Sequence, residues 1–145
     1  MLRFASVTRQ PGDGSCLYHS LAFGLGGGER AEPLRRELAD WVAEHPDEAI
    51  ADTPLKEWVL WDSGSTVAAY AARQRRAGWG GGIEMAACSR AKNVNIFVYE
   101  QRGGEFKRIS CFDAPTPTSR TLHVLYAGGV HYDALSPTKR WDERL

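Results

Sequence analysis

Near residue 93 the chain changes character, and that change limits its fold more than any other feature. Before it, apolar residues recur at helical spacing: Leu17, Leu21 and Leu25, then Leu34, Leu38, Trp41 and Val42, then Ile83, Ala86 and Ala87. Such spacing places them on one face of a helix. After it, NVNIFVYE at residues 93–100 is β-branched and aromatic, and FKRISCF at 106–112 alternates apolar with polar. LHVLYA at 122–127 and VHYDAL at 130–135 read as two more strands. Arg102, Gly103, Gly104 and Glu105 form a hairpin signal, APTPTS at 114–119 is a proline-broken loop, and Gly128-Gly129 turns the chain. Helices first and a strand meander after predict an α+β fold, with helices packed on a small, mainly antiparallel sheet. A length of 145 residues suits one domain, 1–145, and no internal repeat divides it.

The helical part has its own punctuation. QPGDGS at residues 10–15 is a turn signal, after which a helix starts at Cys16 and stops at Gly26-Gly27-Gly28. Pro33 opens a second helix, which ends before Pro46. Residues 47–61 suggest only short helical pieces around Ala49 and Leu55. The segment 63–65 resembles a cap for a helix running through Arg76. GWGGG at 78–82 is a flexible loop carrying one large aromatic, and a helix follows over 83–91. Residues 1–8 alternate loosely, as a short strand or an arm does.

Composition closes off several functions. Lysine plus arginine equals aspartate plus glutamate at 18 each, so net charge gives no argument for a nucleic acid or a membrane as partner. The basic groups at Arg73, Arg75 and Arg76 and at Lys139 and Arg140 lack an aromatic stacking platform and read as solvated surface. Three cysteines, Cys16, Cys88 and Cys111, are too few and too scattered for a disulfide framework, and no CxxC spacing suggests zinc. A reducing, cytoplasmic compartment and a monomer without metal or cofactor are expected. The opening residues have no apolar core of a secretory signal, and no apolar run is long enough to span a bilayer.

Cys16 stands where a glycine-containing loop enters a helix. The positive end of the helix dipole favours a thiolate there, and the loop N–H groups can converge on one point, as an oxyanion hole requires. A buried structural cysteine fits the segment equally well. Of the four histidines, His45 lies at a helix end, His19 follows Cys16 by three residues, and His123 sits inside a strand. His131 follows a turn, and Asp133 lies two residues on, the same face of a strand. A carboxylate so placed can orient the imidazole of a base, although such a pair alone is more often an ordinary strand surface pair.

Taken together these segments resemble the ovarian tumour (OTU) family of cysteine proteases. GDGSCLYHSLA at 12–22 is similar to that family's nucleophile motif, VHYDAL at 130–135 to its histidine motif, and WGGGIEMAACSRAKNVNIFVY at 79–99 to the block between. All three occur in the family's order and span nearly the whole chain, in a compact version of the domain. Ser15, Tyr18 and His19 depart from residues frequent in the family, at positions that vary. The resemblance implies a papain-like α+β fold and hydrolysis of the isopeptide bond that joins ubiquitin, or a ubiquitin-like modifier, to its substrates. It implies Cys16 as nucleophile, His131 as base, Asp133 as the residue orienting it and Asp13 within the loop. Gly14, Ser15 and Cys16 would supply oxyanion N–H groups, and Trp79, Gly80 and Tyr132 would line the channel for a glycine-ended tail. Two alternatives stay open: a viral-type polyprotein endopeptidase on the same fold, and a catalytically idle ubiquitin-binding module.

Overall fold

A computed structural model of the chain describes residues 2–129 and 131–137. Met1 of the expected arm, Val130 of the last strand and the basic pair Lys139 and Arg140 lie outside the described residues. In chain order the elements are β1 (Ala5–Thr8), α1 (Cys16–Leu25), α2 (Ala31–Glu44), β2 (Ala49–Ile50), β3 (Thr53–Pro54), α3 (Leu55–Ser63), α4 (Val67–Gln74), α5 (Gly82–Lys92), β4 (Asn95–Arg102), β5 (Glu105–Phe112), β6 (Thr121–Ala127) and β7 (His131–Pro137). The expected change from helices to strands falls between α5 and β4. Asn93 makes that change with a left-handed backbone (φ 51°), a conformation asparagine tolerates better than most residues.

The main sheet has the order β1-β7-β6-β4-β5. Its pairs are antiparallel except β4 with β6. That parallel pair arises because the chain, after the β4–β5 hairpin, returns through residues 113–120 to the start of β4. Two asparagines hold the return loop. The Asn93 side-chain oxygen accepts from the N–H and hydroxyl of Thr116, and that of Asn95 accepts the Ala114 N–H.

Alternation along the strands divides the sheet into two faces. Ile96, Val98, Leu122 and Val124 point into the main core, where they meet Leu17, Leu21, Leu34, Leu38 and Val59 from the helices. Tyr99 and Leu125, on the other face, pack with Phe106 and Leu135 under Leu2, Ala5 and Phe97. Leu2 exchanges both backbone hydrogen bonds with Phe106 of β5, so the N-terminal arm runs from one edge of the sheet to β1 at the other.

Local readings hold with shifted ends, except over residues 47–61. α2 starts at Ala31, two residues ahead of Pro33, which is tolerated because the first turn leaves its N–H groups unpaired in any case. The expected helical piece at Ala49 is instead strand β2, paired with β3 around a tight turn. Ala51 and Asp52 occupy that turn with φ of 50° and 64°. Such turns are usually marked by Asn-Gly or Gly-Gly, and this one carries neither. Leu55 opens one continuous helix rather than a fragment.

α1 lies between the sheet and α2, and Leu21 is its fully buried midpoint. Leu21→Ala should therefore destabilise the fold by about 2–5 kcal/mol in denaturant or thermal unfolding.

Candidate active site

Cys16 is the first residue of α1, and Ser15 is its cap. The thiol is buried, at 1% exposure, and its sulfur accepts the backbone N–H of Tyr132 on β7 at 3.4 Å. The sulfur thus faces two positive partial charges, the helix N-terminus and an amide of the adjacent strand.

β7 also carries His131 and Asp133, which share one face of the strand. His131 Nε2 donates to Asp133 Oδ1 at 2.7 Å. The same oxygen accepts the backbone N–H of Gln10 at 2.8 Å, so the carboxylate is held from two sides. With Nε2 donating to Asp133, Nδ1 is the ring nitrogen left for other chemistry. Asp13 stands elsewhere. Its Oδ1 accepts the Ser15 N–H at 3.0 Å and its Oδ2 lies 3.4 Å from His19 Nε2. The Ser15 N–H, helped by His19, holds the Asp13 carboxyl below the usual carboxylate range. The partners described for Asp13 are thus Ser15 and His19, while His131 is met by Asp133.

The loop into α1 departs from expectation at one point. Gly14 has φ of 86°, a left-handed conformation that glycine adopts without strain. The Ser15 N–H is engaged by Asp13 and does not serve as an oxyanion donor in this arrangement. Ser15 O accepts from His19 as the first bond of the helix, at 2.9 Å. A trans peptide points its N–H opposite to its C=O, so the Cys16 N–H points out of the helix N-terminus.

The expected substrate-lining residues divide. Trp79 is half exposed, at 55%, and borders both the groove along residues 12–15 and a cleft of about 550 Å³ lined with Trp58, Tyr70 and Phe112. Gly80 instead packs down on α1. A Cβ there would lie 2.8 Å from Leu17 Cδ2 and 3.2 Å from the Tyr18 ring, so the close approach of loop to helix calls for glycine. Tyr132 differs from expectation more clearly: its ring is buried beside Tyr126, with centroids 5.0 Å apart, and it reaches the thiol through its backbone N–H.

Sequence reasoning passed over Gln10, Arg35, Gln74 and Glu84. Arg35 is 2% exposed, and its Nη2 donates to Ser15 Oγ at 2.8 Å and Gly14 O at 3.3 Å. A signal for it existed, because Arg35 interrupts the apolar stripe of α2 between Leu34 and Leu38. Gln74 Nε2 donates to the carbonyl of Trp79 at 2.9 Å. Glu84 is buried in the first turn of α5, where it accepts the Gly81 N–H at 2.7 Å and the hydroxyl of Tyr70. Among the described residues no group of three His, Cys, Asp or Glu side chains converges as a metal site, and no helix is long and apolar enough to cross a membrane.

With this geometry in place, the comparisons identify the class. Residues 11–133 match the family of OTU-like cysteine proteases, and the chain belongs to that family. Over 139 residues it is 34% identical to OVARIAN TUMOR DOMAIN-containing deubiquitinating enzyme 4 of Arabidopsis thaliana, with 90% of this chain and 43% of that protein covered. It is 26% identical over 127 residues to ubiquitin thioesterase OTU1 of Saccharomyces cerevisiae, covering 86% and 37%. A solved structure of the Hazara virus OTU bound to ubiquitin is similar with a TM-score of 0.75 at 25% identity, over 95% of this chain and 86% of that one. The α+β architecture is thus that of OTU domains. The chain spans less than half the length of the curated relatives it matches.

Burial pushes the Glu84 carboxyl up to about 7 from an ordinary 4.5, against hydrogen bonds that favour its charge. A carboxyl with a raised folded-state value supports the fold fully below pH 4.5, and that support is lost as pH rises toward 7. Glu84→Gln cannot ionise. Its thermal stability relative to the parent protein should rise between pH 5 and 8, by on the order of 3 kcal/mol at most, in paired melts across that range.

Proposed function

We propose that this chain is a deubiquitinase. It hydrolyses the isopeptide bond after the C-terminal glycine of ubiquitin or a ubiquitin-like modifier, with Cys16 as nucleophile, His131 as general base and Asp133 as the residue that orients it. The observation that carries this reading is the arrangement on β7: Tyr132 N–H on the Cys16 sulfur, flanked by the His131–Asp133 pair. Family membership supports the thiol chemistry. Two relatives named for deubiquitination or ubiquitin thioesterase activity, and a viral OTU bound to ubiquitin, support the modifier.

In this reading His131 Nδ1 takes the proton of the Cys16 thiol, while Asp133 holds Nε2–H and stabilises the imidazolium. The sulfur attacks the carbonyl carbon of the terminal glycine, and the N–H groups of Gly14 and Cys16 receive the oxyanion. His131 returns its proton to the departing lysine amine as the C–N bond breaks, leaving a thioester. Water, deprotonated by His131, then attacks that thioester, and the modifier leaves as a carboxylate with the thiol restored. Asp13 shapes the loop by holding Ser15. Cys88 and exposed Cys111, both free thiols, suit a reducing compartment such as the cytosol.

A ubiquitin probe with a thiol-reactive group at its C-terminus is expected to label the parent protein and not Cys16→Ala. A folded parent protein that leaves the probe unreacted would remove ubiquitin as the modifier. The two acids separate by kinetics on a fluorogenic ubiquitin amide. Asp133→Asn should lower kcat by roughly 10²–10⁴-fold, as loss of an orienting carboxylate does. Asp13→Asn keeps an acceptor for Ser15 and should stay within about tenfold of the parent protein. The reverse order would make Asp13 the orienting acid.

A further inference from the structure

Residues 12–15 and the segment 76–79 border one groove, Trp79 bordering the larger cleft as well, and buried polar contacts from the helices behind join the two segments. Arg35 on α2 is the hub. Its Nη2 donates to Gly14 O at 3.3 Å and Ser15 Oγ at 2.8 Å, and its Nη1 donates to the carbonyl of Gln74 at 3.0 Å. Gln74 is itself buried, and its Nε2 continues the chain to the carbonyl of Trp79 at 2.9 Å. A second path runs through Tyr18, whose ring lies 4.4 Å from the guanidinium carbon and also supports Gly80.

The direction of these bonds matters for an acyl-transfer site. Drawing Gly14 O toward Arg35 turns the Ser15 N–H of the same peptide the other way, onto Asp13 Oδ1. The next peptide is set by the first helical bond, from His19 N–H to Ser15 O. Two successive peptides ahead of the nucleophile are thus fixed in orientation, one by Arg35 and one by α1. A guanidinium presents its donors on three nitrogens in a rigid plane, and here two of them reach acceptors on two chain segments; an ammonium has three rotatable donors on a single nitrogen and lacks that fixed spread. A buried guanidinium is also a poor source of stability, because desolvation offsets most of its attraction to Glu32, whose carboxylate is half exposed at 3.8 Å.

We propose that Arg35 is a positioning residue for this site: its guanidinium holds the nucleophile loop and, through Gln74, the Trp79 loop, so that both walls of the cleft keep one register. The kinetic consequence rests on the deubiquitinase reading; the mechanical one does not.

Millisecond-to-second hydrogen exchange on the purified chain tests the mechanics. Arg35→Lys should speed exchange in peptides covering residues 12–16 and in those covering 78–82, each by roughly tenfold, with β4 and β6 unchanged. Gln74→Met leaves the Gln74 carbonyl in place and should loosen residues 78–82 far more than 12–16. Should Arg35→Lys not fold, Ser15→Ala removes one Arg35 contact from the loop and should speed exchange over 12–16 alone. A folded Arg35→Lys protein with both loops at parent rates, or with only one loop changed, overturns the proposal, as does a Ser15→Ala protein without effect. On a ubiquitin amide, Arg35→Lys should lose about 100-fold in kcat with KM within about threefold, because the loop that carries the Gly14 N–H ahead of the nucleophile is no longer held through Gly14 O. Alkylation of Cys16 by iodoacetamide creates no oxyanion and should stay within about threefold of the parent rate. A loss in KM alone, or an equal loss in alkylation, also overturns it. A parent protein inert toward ubiquitin removes the modifier assignment, and the exchange rates still decide the role of Arg35.

Discussion

The contact between the Cys16 sulfur and the Tyr132 N–H exists only because α1 is clamped along its length. One side of the helix presses on β6 and β7 of the sheet, and the other meets α2. Leu17 and Leu21 take up the space between them. A helix held in this way has one permitted position for its first residue. The sulfur is therefore placed by the packing of the core rather than by its own side-chain contacts. β7 supplies the other groups of the candidate site from a single strand: an amide for the thiol, an imidazole, and a carboxylate anchored by Gln10 from the chain ahead of the loop. The whole site is thereby one joint between a helix end and a strand. Its geometry depends on core side chains such as Leu17 and Leu21 that lie behind it.

Much of this was legible in the sequence, for physical reasons that differ between elements. The helices and strands of the core announce themselves because burial imposes a period, and Leu17, Leu21 and Leu25 or Ile96 and Val98 keep it. Cys16 and the His131–Asp133 pair were visible because turn residues mark the loops beside them and because residues two apart share a strand face. The β2–β3 turn was invisible, since Ala51 and Asp52 enter the left-handed region without the usual glycine or asparagine. Tyr132 misled for another reason. An aromatic beside a candidate base suggests a substrate contact, yet alternation turns its ring inward against Tyr126, and its hydrogen bond to the thiol comes from the backbone.

Arg35 was missed because its partners are mostly backbone groups distant in sequence, and Gln74 and Glu84 because theirs, on Trp79, Gly81 and Tyr70, are reached across an irregular loop that no periodicity marks. Such a contact leaves no pattern of its own. Arg35 reaches Gly14 across 21 residues and Gln74 across 39. The only trace is negative: a charge on a stripe that should be apolar. Ser15 shows the same limit, because its N–H looked like an oxyanion donor until the Asp13 carboxylate was seen to accept it.

The polar groups behind the cleft also divide the electrostatic burden in a way that suits neutral pH. The Arg35 guanidinium meets carbonyl oxygens, a hydroxyl, an aromatic face and a half-exposed carboxylate. Glu84 can discharge near neutrality, so its burial under the Trp79 loop does not force a permanent unpaired charge into the core. Tyr18 stands within the field of both, and burial drives its hydroxyl far above the ordinary tyrosine range, so it stays neutral. Neutral, the phenol brings no charge that would compete for the guanidinium. The guanidinium is left to the carbonyls of Gly14 and Gln74, which are the atoms through which it shapes the cleft.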